Sequence, residues 1–155
     1  ENIMSQILAC QEDIVLIVDN TIQYYAPESN KVQDFVISKN KHQSTRRKIN
    51  FDCENIISKI GSNLKPETAT HEFIGLAKFS KNGAEQLLQT YEDCVKNYSG
   101  NLQEAANINQ FKFTDLIQEM IDRGYVANFL EIHKGWLEIH SSEDIKLANH
   151  FLSNS

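Results

Sequence analysis

The chain opens on apolar positions at helical spacing, Ile3, Ile7, Leu8 and Cys10, which predict a helix ending before Gln11-Glu12-Asp13. The pattern then changes. Ile14-Val15-Leu16-Ile17-Val18 is apolar at every position and mostly β-branched, so both faces want cover. Such a run predicts the central strand of a covered sheet, here closed by Asp19-Asn20. Helix, turn, buried strand and terminal carboxylate together indicate an α/β protein. Thr21 to Lys48 is polar and reads as an excursion from the sheet, interrupted by a short strand over Asp34-Phe35-Val36-Ile37-Ser38. Ile49-Asn50-Phe51 and Ile56 to Ile60 alternate as two short strands about a turn at Glu54-Asn55.

Gly61 to Thr70, with Pro66, is expected to be a loop, and Glu72 to Phe79 a strand. Ser80 should cap a helix whose inward stripe is Ala84, Leu87, Leu88, Tyr91 and Val95. Asn97 to Gln110 reads as a surface connection containing a turn of helix. Phe113, Leu116, Ile117, Met120 and Ile121 mark a further helix, with Thr114 as cap, Asp115 in its first turn and Gly124 as its left-handed stop. Tyr125 to Ile132 alternates as a strand, and Trp136-Leu137-Glu138-Ile139-His140 as a short closing one. The last helix begins at Ser141 or Ser142 with Glu143 and Asp144 at its positive end, and should face inward through Ile145, Leu147, Ala148, Phe151 and Leu152. The expected fold class is α/β, a three-layer mixed sheet with helices on both faces, in one domain over residues 1–155.

Length agrees, since 155 residues suffice for a single core without staples. Fifteen Lys and Arg against twenty-one Asp and Glu give a formal charge of −6, which argues against a broad basic face for nucleic acid. Three cysteines, Cys10, Cys53 and Cys94, show no C-x-x-C spacing, so a reducing compartment and buried thiols are expected. The longest apolar run, Ile14 to Val18, falls well short of the ~20 residues of a membrane span. A cytoplasmic protein, independent of membrane and nucleic acid, is the expectation. Glu1 leads straight into the first helix without an initiator Met, so the chain is also expected to be a piece of something longer.

Among candidate chemistries, Glu138 and His140 are i and i+2 on the expected closing strand, so both leave one face as half of a divalent-ion site or as a solvated strand end. Asp19, just beyond a buried strand, stands at the edge where open α/β sheets bind ligands. There it would hold Mg²⁺ or a substrate ammonium, or cap a turn. Lys39, Lys41, Arg46, Arg47 and Lys48 gather positive charge that would grip phosphate if the excursion folded over a pocket, and would otherwise be solvated. No glycine-rich phosphate cradle, zinc spacing or cysteine-nucleophile signature occurs. No residue is singled out as catalytic.

Three segments in order carry a resemblance. Asp13-Ile14-Val15-Leu16-Ile17-Val18-Asp19, the stretch Lys65-Pro66-Glu67-Thr68-Ala69-Thr70-His71-Glu72-Phe73-Ile74-Gly75-Leu76-Ala77-Lys78-Phe79-Ser80, and Gly135-Trp136-Leu137-Glu138-Ile139-His140 with Glu143-Asp144 resemble the sugar-phosphate and phosphocholine cytidylyltransferase type of nucleotidyltransferase. The likeness is closest to the nucleotidyltransferase domain associated with phosphoenolpyruvate mutase in phosphonate metabolism. It implies a Rossmann-like, nucleotide-diphospho-sugar transferase-like fold and transfer of a nucleotidyl group, CMP from CTP, to a phosphate or phosphonate monoester, releasing pyrophosphate.

By that resemblance Asp19 and either Glu138 or His140 would bind Mg²⁺, His140 standing where many members have Asp. Glu72, Lys78 and the strand around Gly75 would lie on the acceptor side, and Arg46, Arg47 and Lys48 remain the phosphate candidates. Trp136, with Tyr24 and Tyr25, would wall a quaternary ammonium such as that of choline phosphate. Glu72 would suit the amine of 2-aminoethylphosphonate instead. The family's G-x-G-[ST]-R nucleotide loop is absent, so these residues are expected to form the C-terminal two-thirds of such a domain, inactive alone. A non-catalytic interaction or regulatory domain derived from the same fold is the alternative, and a homodimer through an unpaired sheet edge is a third expectation.

Overall fold

The structure is a computed structural model and describes residues 3–21, 33–39, 55–137, 139 and 142–153. Its described elements are, in chain order, α1 (Ile3–Ala9), β1 (Ile14–Asp19), β2 (Phe35–Ser38), β3 (Ile57–Gly61), β4 (His71–Phe79), α2 (Lys81–Asn97), a 3₁₀ turn (Ile108–Gln110), α3 (Phe113–Asp122), β5 (Asn128–Ile132) and α4 (Ser142–Ser153). The five strands form one mixed sheet in the order β3-β2-β4-β1-β5, with β1 parallel to β5 and every other pairing antiparallel. The α/β expectation holds at this level.

β1 is buried at all six positions, and its alternating side chains enter two different apolar clusters. Ile14, Leu16 and Val18 pack with Val36, Ile57, Ile60, Phe73 and Phe129 and with Ile117 and Met120 of α3. Val15 and Ile17 pack with Ile7 of α1 and Cys10. A strand apolar on both sides thus has cover on both sides, and it lies inside the sheet between β4 and β5. The β1–β4 ladder slips between Leu16 and Val18, where Ile74, Gly75 and Leu76 oppose Ile17 alone. Gly75 takes φ +80° in this bulge, a conformation open to glycine at little cost.

The ends of the sheet are not left bare. Ile57 N–H donates to Ala127 O and Phe129 N–H to Asn55 O, each at 2.9 Å, so the start of β5 is bridged back to the start of β3. On β3, Ile60 N–H donates to Gln118 Oε1 at 2.8 Å, and just after it Ser62 N–H and Asn63 N–H donate to the Glu104 carboxylate. A twin strand pairing at these positions would have to displace them.

Four sequence expectations are corrected. The inward stripe of α2 is Gly83, Thr90 and Cys94 with partly buried Leu87, whereas Ala84 is exposed and Leu88, Tyr91 and Val95 are 57%, 47% and 48% exposed. The physical reason is Gly83, which lies so close to the Asp13 backbone that the helix must present this face. α3 begins after Lys112, whose N–H is taken by Asp115 Oδ2 at 2.9 Å, while Thr114 is buried inside the first turn. Residues 133–137 are irregular, because Lys134 and Gly135 both take positive φ and turn the chain before any strand forms. In α4, Ala148 is buried but Ile145 is half exposed. Gly124, at φ +93°, does end α3. The expected strand over residues 49–51 lies outside the described residues. Cys10 and Cys94 are buried free thiols; Cys53 is also outside.

α2 and α3 are joined by a buried carboxylate. Glu119 accepts from Tyr98 Oη at 3.1 Å, Gln103 Nε2 at 2.8 Å and Arg123 Nε at 2.9 Å, and Arg123 Nη1 reaches Asp93 at 3.1 Å. Burial pushes the Glu119 carboxyl up, but the donors from Gln103, Arg123 and Tyr98 outweigh it and hold it below its ordinary value. A depressed folded-state value means that this stability is present above the unfolded value of about 4.3 and drains away as pH falls through the folded one. Glu119→Gln is expected to cost about 2 kcal/mol at neutral pH and to lessen the loss of stability below about pH 4. Melting curves of both proteins across acid pH measure this.

Candidate functional site

Asp19 ends β1, between β4 and β5, at one end of the sheet and is 2% exposed. Its Oδ1 accepts from Thr21 N and Thr21 Oγ1, both at 2.8 Å, and from Lys134 N at 3.3 Å. Its Oδ2 accepts from the indole Nε1 of Trp136 at 2.6 Å. Burial pushes this carboxyl up, but the hydrogen bonds from Thr21, Trp136 and Lys134 prevail and hold it below the usual carboxylate range. An ionised carboxylate offers about four acceptor directions, so three donors on Oδ1 and one on Oδ2 leave Oδ2 the more open oxygen. The left-handed pair Lys134-Gly135 is what brings Lys134 N–H and Trp136 back over β1.

Glu72 stands opposite Asp19 in the β1–β4 register, and its Oε1 accepts from Gln33 Nε2 at 2.9 Å. Asp19, Glu72 and Trp136 therefore meet at one end of the sheet, although Asp19 and Trp136 are 117 residues apart in sequence. Lys78 does not join them. It pairs with Val15, four residues back along β1, or about 13 Å away at the usual strand rise. There its Nζ donates to Cys10 O at 2.8 Å and Glu12 O at 3.0 Å, tying down the turn between α1 and β1. Glu138, His140, Arg46, Arg47 and Lys48 lie outside the described residues, as do Tyr24 and Tyr25.

A second polar group at the same edge escaped the sequence reading. His71 Nε2 lies 2.8 Å from Glu131 Oε2, Asn20 Nδ2 donates to Glu131 Oε1 at 2.6 Å, and His133 Nδ1 lies 2.8 Å from Asn20 Oδ1. In sequence these are scattered polar residues without ligand spacing. Their one common signal, a position at the same end of adjacent strands, becomes readable only once strand order is known.

Among the described residues, no group of three or more His, Cys, Asp or Glu side chains gathers as a metal cage, and no helix is long and apolar enough to cross a membrane. No protein-family model matches the chain, and a search of curated proteins finds no match.

Proposed function

We propose that the chain is the acceptor-side portion of a nucleotidyltransferase with a three-layer Rossmann-like core, moving a nucleotidyl group from an NTP, CTP by resemblance, to a phosphate or phosphonate monoester. One observation supports the reading: one residue from each of the three resembling segments, Asp19, Glu72 and Trp136, lies at the carboxyl end of β1. That end is where α/β sheets accept ligands.

Mg²⁺ would take one ligand through the open direction on Asp19 Oδ2, and by the resemblance Glu138 or His140 and substrate phosphates would supply others. A hard ion of this kind commonly takes one or two carboxylates and keeps waters, so a full protein cage is not needed. Bound there, it would neutralise clustered phosphate oxygens while the monoester oxygen attacks the α-phosphorus and pyrophosphate leaves. Glu72 would orient an acceptor amine, and Trp136 would wall the acceptor site. Arg46, Arg47 and Lys48 would hold phosphate. Choline phosphate and 2-aminoethylphosphonate are the two acceptors this chemistry suits, within a phosphonate or headgroup-activating metabolism. A homodimer and a cytoplasmic setting belong to the same reading.

The test is calorimetry with CTP and Mg²⁺ on the chain extended upstream of Glu1, followed by assay of pyrophosphate release with each acceptor. Heat and acceptor-dependent release are expected. Silence in both removes the proposal.

A second reading, a non-catalytic interaction or regulatory domain on this scaffold, is favoured by the four donors on Asp19, which make it a loop anchor. It predicts that Asp19→Asn changes stability while an extended wild-type protein still binds no nucleotide.

A further inference from the structure

We infer that the outward face of α2 is the docking surface for a second copy of this chain, paired helix to helix and antiparallel. A copy docked there sits away from the sheet edges, and its docking uses none of the nucleotidyl-transfer chemistry proposed above.

Three sides of α2 separate at about 100° per residue. Gly83, Leu87, Thr90 and Cys94 face the sheet. Asp93 faces α3, where the Arg123 guanidinium meets it at 3.1 Å. Ala84, Leu88, Tyr91 and Val95, spaced four, three and four, run along the side opposite Asp93, and all four are exposed. This stripe carries more apolar surface than the buried side does. A helix apolar on two of its sides is ordinarily enclosed between neighbours, and a contiguous exposed apolar stripe marks a contact surface. The surface is also preorganised. Ser80 Oγ caps the helix by accepting from Gly83 N–H at 3.0 Å, and Tyr98 Oη ties the far end to Glu119 of α3.

Charge identifies the neighbour. Lys81, Glu85, Glu92 and Lys96 all fall on one flank of the stripe, within about 60° of one another. Within the helix they pair as Lys81–Glu85 at 3.9 Å and Glu92–Lys96 at 3.3 Å, both exposed. When a second α2 is laid antiparallel against the first with the two-fold axis at Tyr91, that tyrosine meets its own twin. Leu88 and Val95 come within one residue of facing each other across the seam, and Ala84 faces Tyr98. Glu85 and Lys96 also come within one residue of each other, so two opposite-charge pairs close the seam on its solvent side. In a parallel pair the charged flanks fall on opposite sides of the seam, and this match is lost. The 17 residues of α2 span about 25 Å, short for a standard interface, so the dimer is weak, with a dissociation constant on the order of 10 μM.

Sedimentation equilibrium of the full chain in dilute salt, from about 1 to about 200 μM, tests this by mass action. The apparent mass should rise from 17.8 kDa toward twice that value. Leu88→Lys, at an exposed position, should weaken association at least about tenfold with the circular dichroism unchanged. Glu85→Lys and Lys96→Glu should each weaken it about fivefold, because Lys meets Lys in the first dimer and Glu meets Glu in the second. An equimolar mixture of these two variants should associate again, since the mixed dimer restores both opposite-charge pairs. A chain that stays monomeric at every concentration overturns the inference, as does an association that Leu88→Lys leaves intact or a mixture that recovers nothing. A monomer that Leu88→Lys destabilises shows the stripe covered by the chain's own residues, and overturns it equally. Mass alone is read, so none of these outcomes bears on nucleotidyl transfer.

Discussion

Asp19→Ala is expected to cost about 3 kcal/mol or more, lowering the melting temperature by roughly 6–12 °C for a domain of this size. The substitution strips an acceptor from the Thr21 N–H and hydroxyl, the Lys134 N–H and the Trp136 indole in one step. Those donors surround a position that is 2% exposed, so water cannot simply take the carboxylate's place. Asp19→Asn should cost about half as much, since the amide oxygen can keep the Thr21 pair while its NH₂ meets the Trp136 N–H donor to donor. Trp136 emission should move toward the solvent-exposed range in both variants. Denaturant unfolding with fluorescence detection measures all of this, and equal stability of wild type and Asp19→Ala would remove the anchoring role.

Gly83→Ala is the second large effect, and its sign runs against helix propensity. Alanine in place of glycine inside a helix ordinarily gains up to about 1 kcal/mol. Here a Cβ would run into the carbonyl oxygen of Asp13, which is backbone and has little room to yield. That carbonyl also accepts the Ser80 N–H at 2.9 Å, and the Asp13 side chain is bound by Ser80 Oγ and by Asn82 Nδ2 at 2.6 Å. Shifting it therefore disturbs the whole start of α2. A loss of about 2–3 kcal/mol is expected from the overpacking. Gln89→Ala, on the exposed face of the same helix, should be neutral or slightly stabilising. A midpoint for Gly83→Ala at or above wild type would show that the contact relaxes freely.

The same glycine explains why one part of the fold was hard to read from sequence. Along α2 the positions 84, 88, 91 and 95 and the positions 83, 87, 90 and 94 have the same helical spacing, and the first set is the more apolar. Hydrophobicity therefore favoured the outer face. The deciding term is how closely a backbone may approach at Gly83, which has no signature in residue polarity. β1 was legible because a strand apolar at five successive positions has only one comfortable place in an α/β sheet. Asp19 was legible for the same reason, being the first polar residue after that run.

The rest of the edge was not legible. Trp136 to His140 alternates well enough to suggest a strand, yet Lys134 and Gly135 turn the chain, and the indole N–H finds its acceptor on Asp19. Lys78 shares a strand with Glu72, and the resemblance put both on the acceptor side; six residues of β4 instead put Lys78 at the other end of the ladder, holding the carbonyls of Cys10 and Glu12. His71 fell just outside the strand expected over Glu72 to Phe79. Its meaning depends on β5 lying just beyond β1, which no local pattern encodes.

That strand order also bears on how the polypeptide is made. β1 is made well before its parallel neighbour β5, which is complete only at Ile132, more than a hundred residues later. At bacterial-to-eukaryotic elongation speeds of about 5–20 residues per second, the most apolar segment of the chain waits roughly 6–20 s on the ribosome before both flanks are closed. During that interval it is an adhesive ribbon, and cellular yield should respond to holdase chaperones and to growth temperature more strongly than the stability of the finished molecule would suggest.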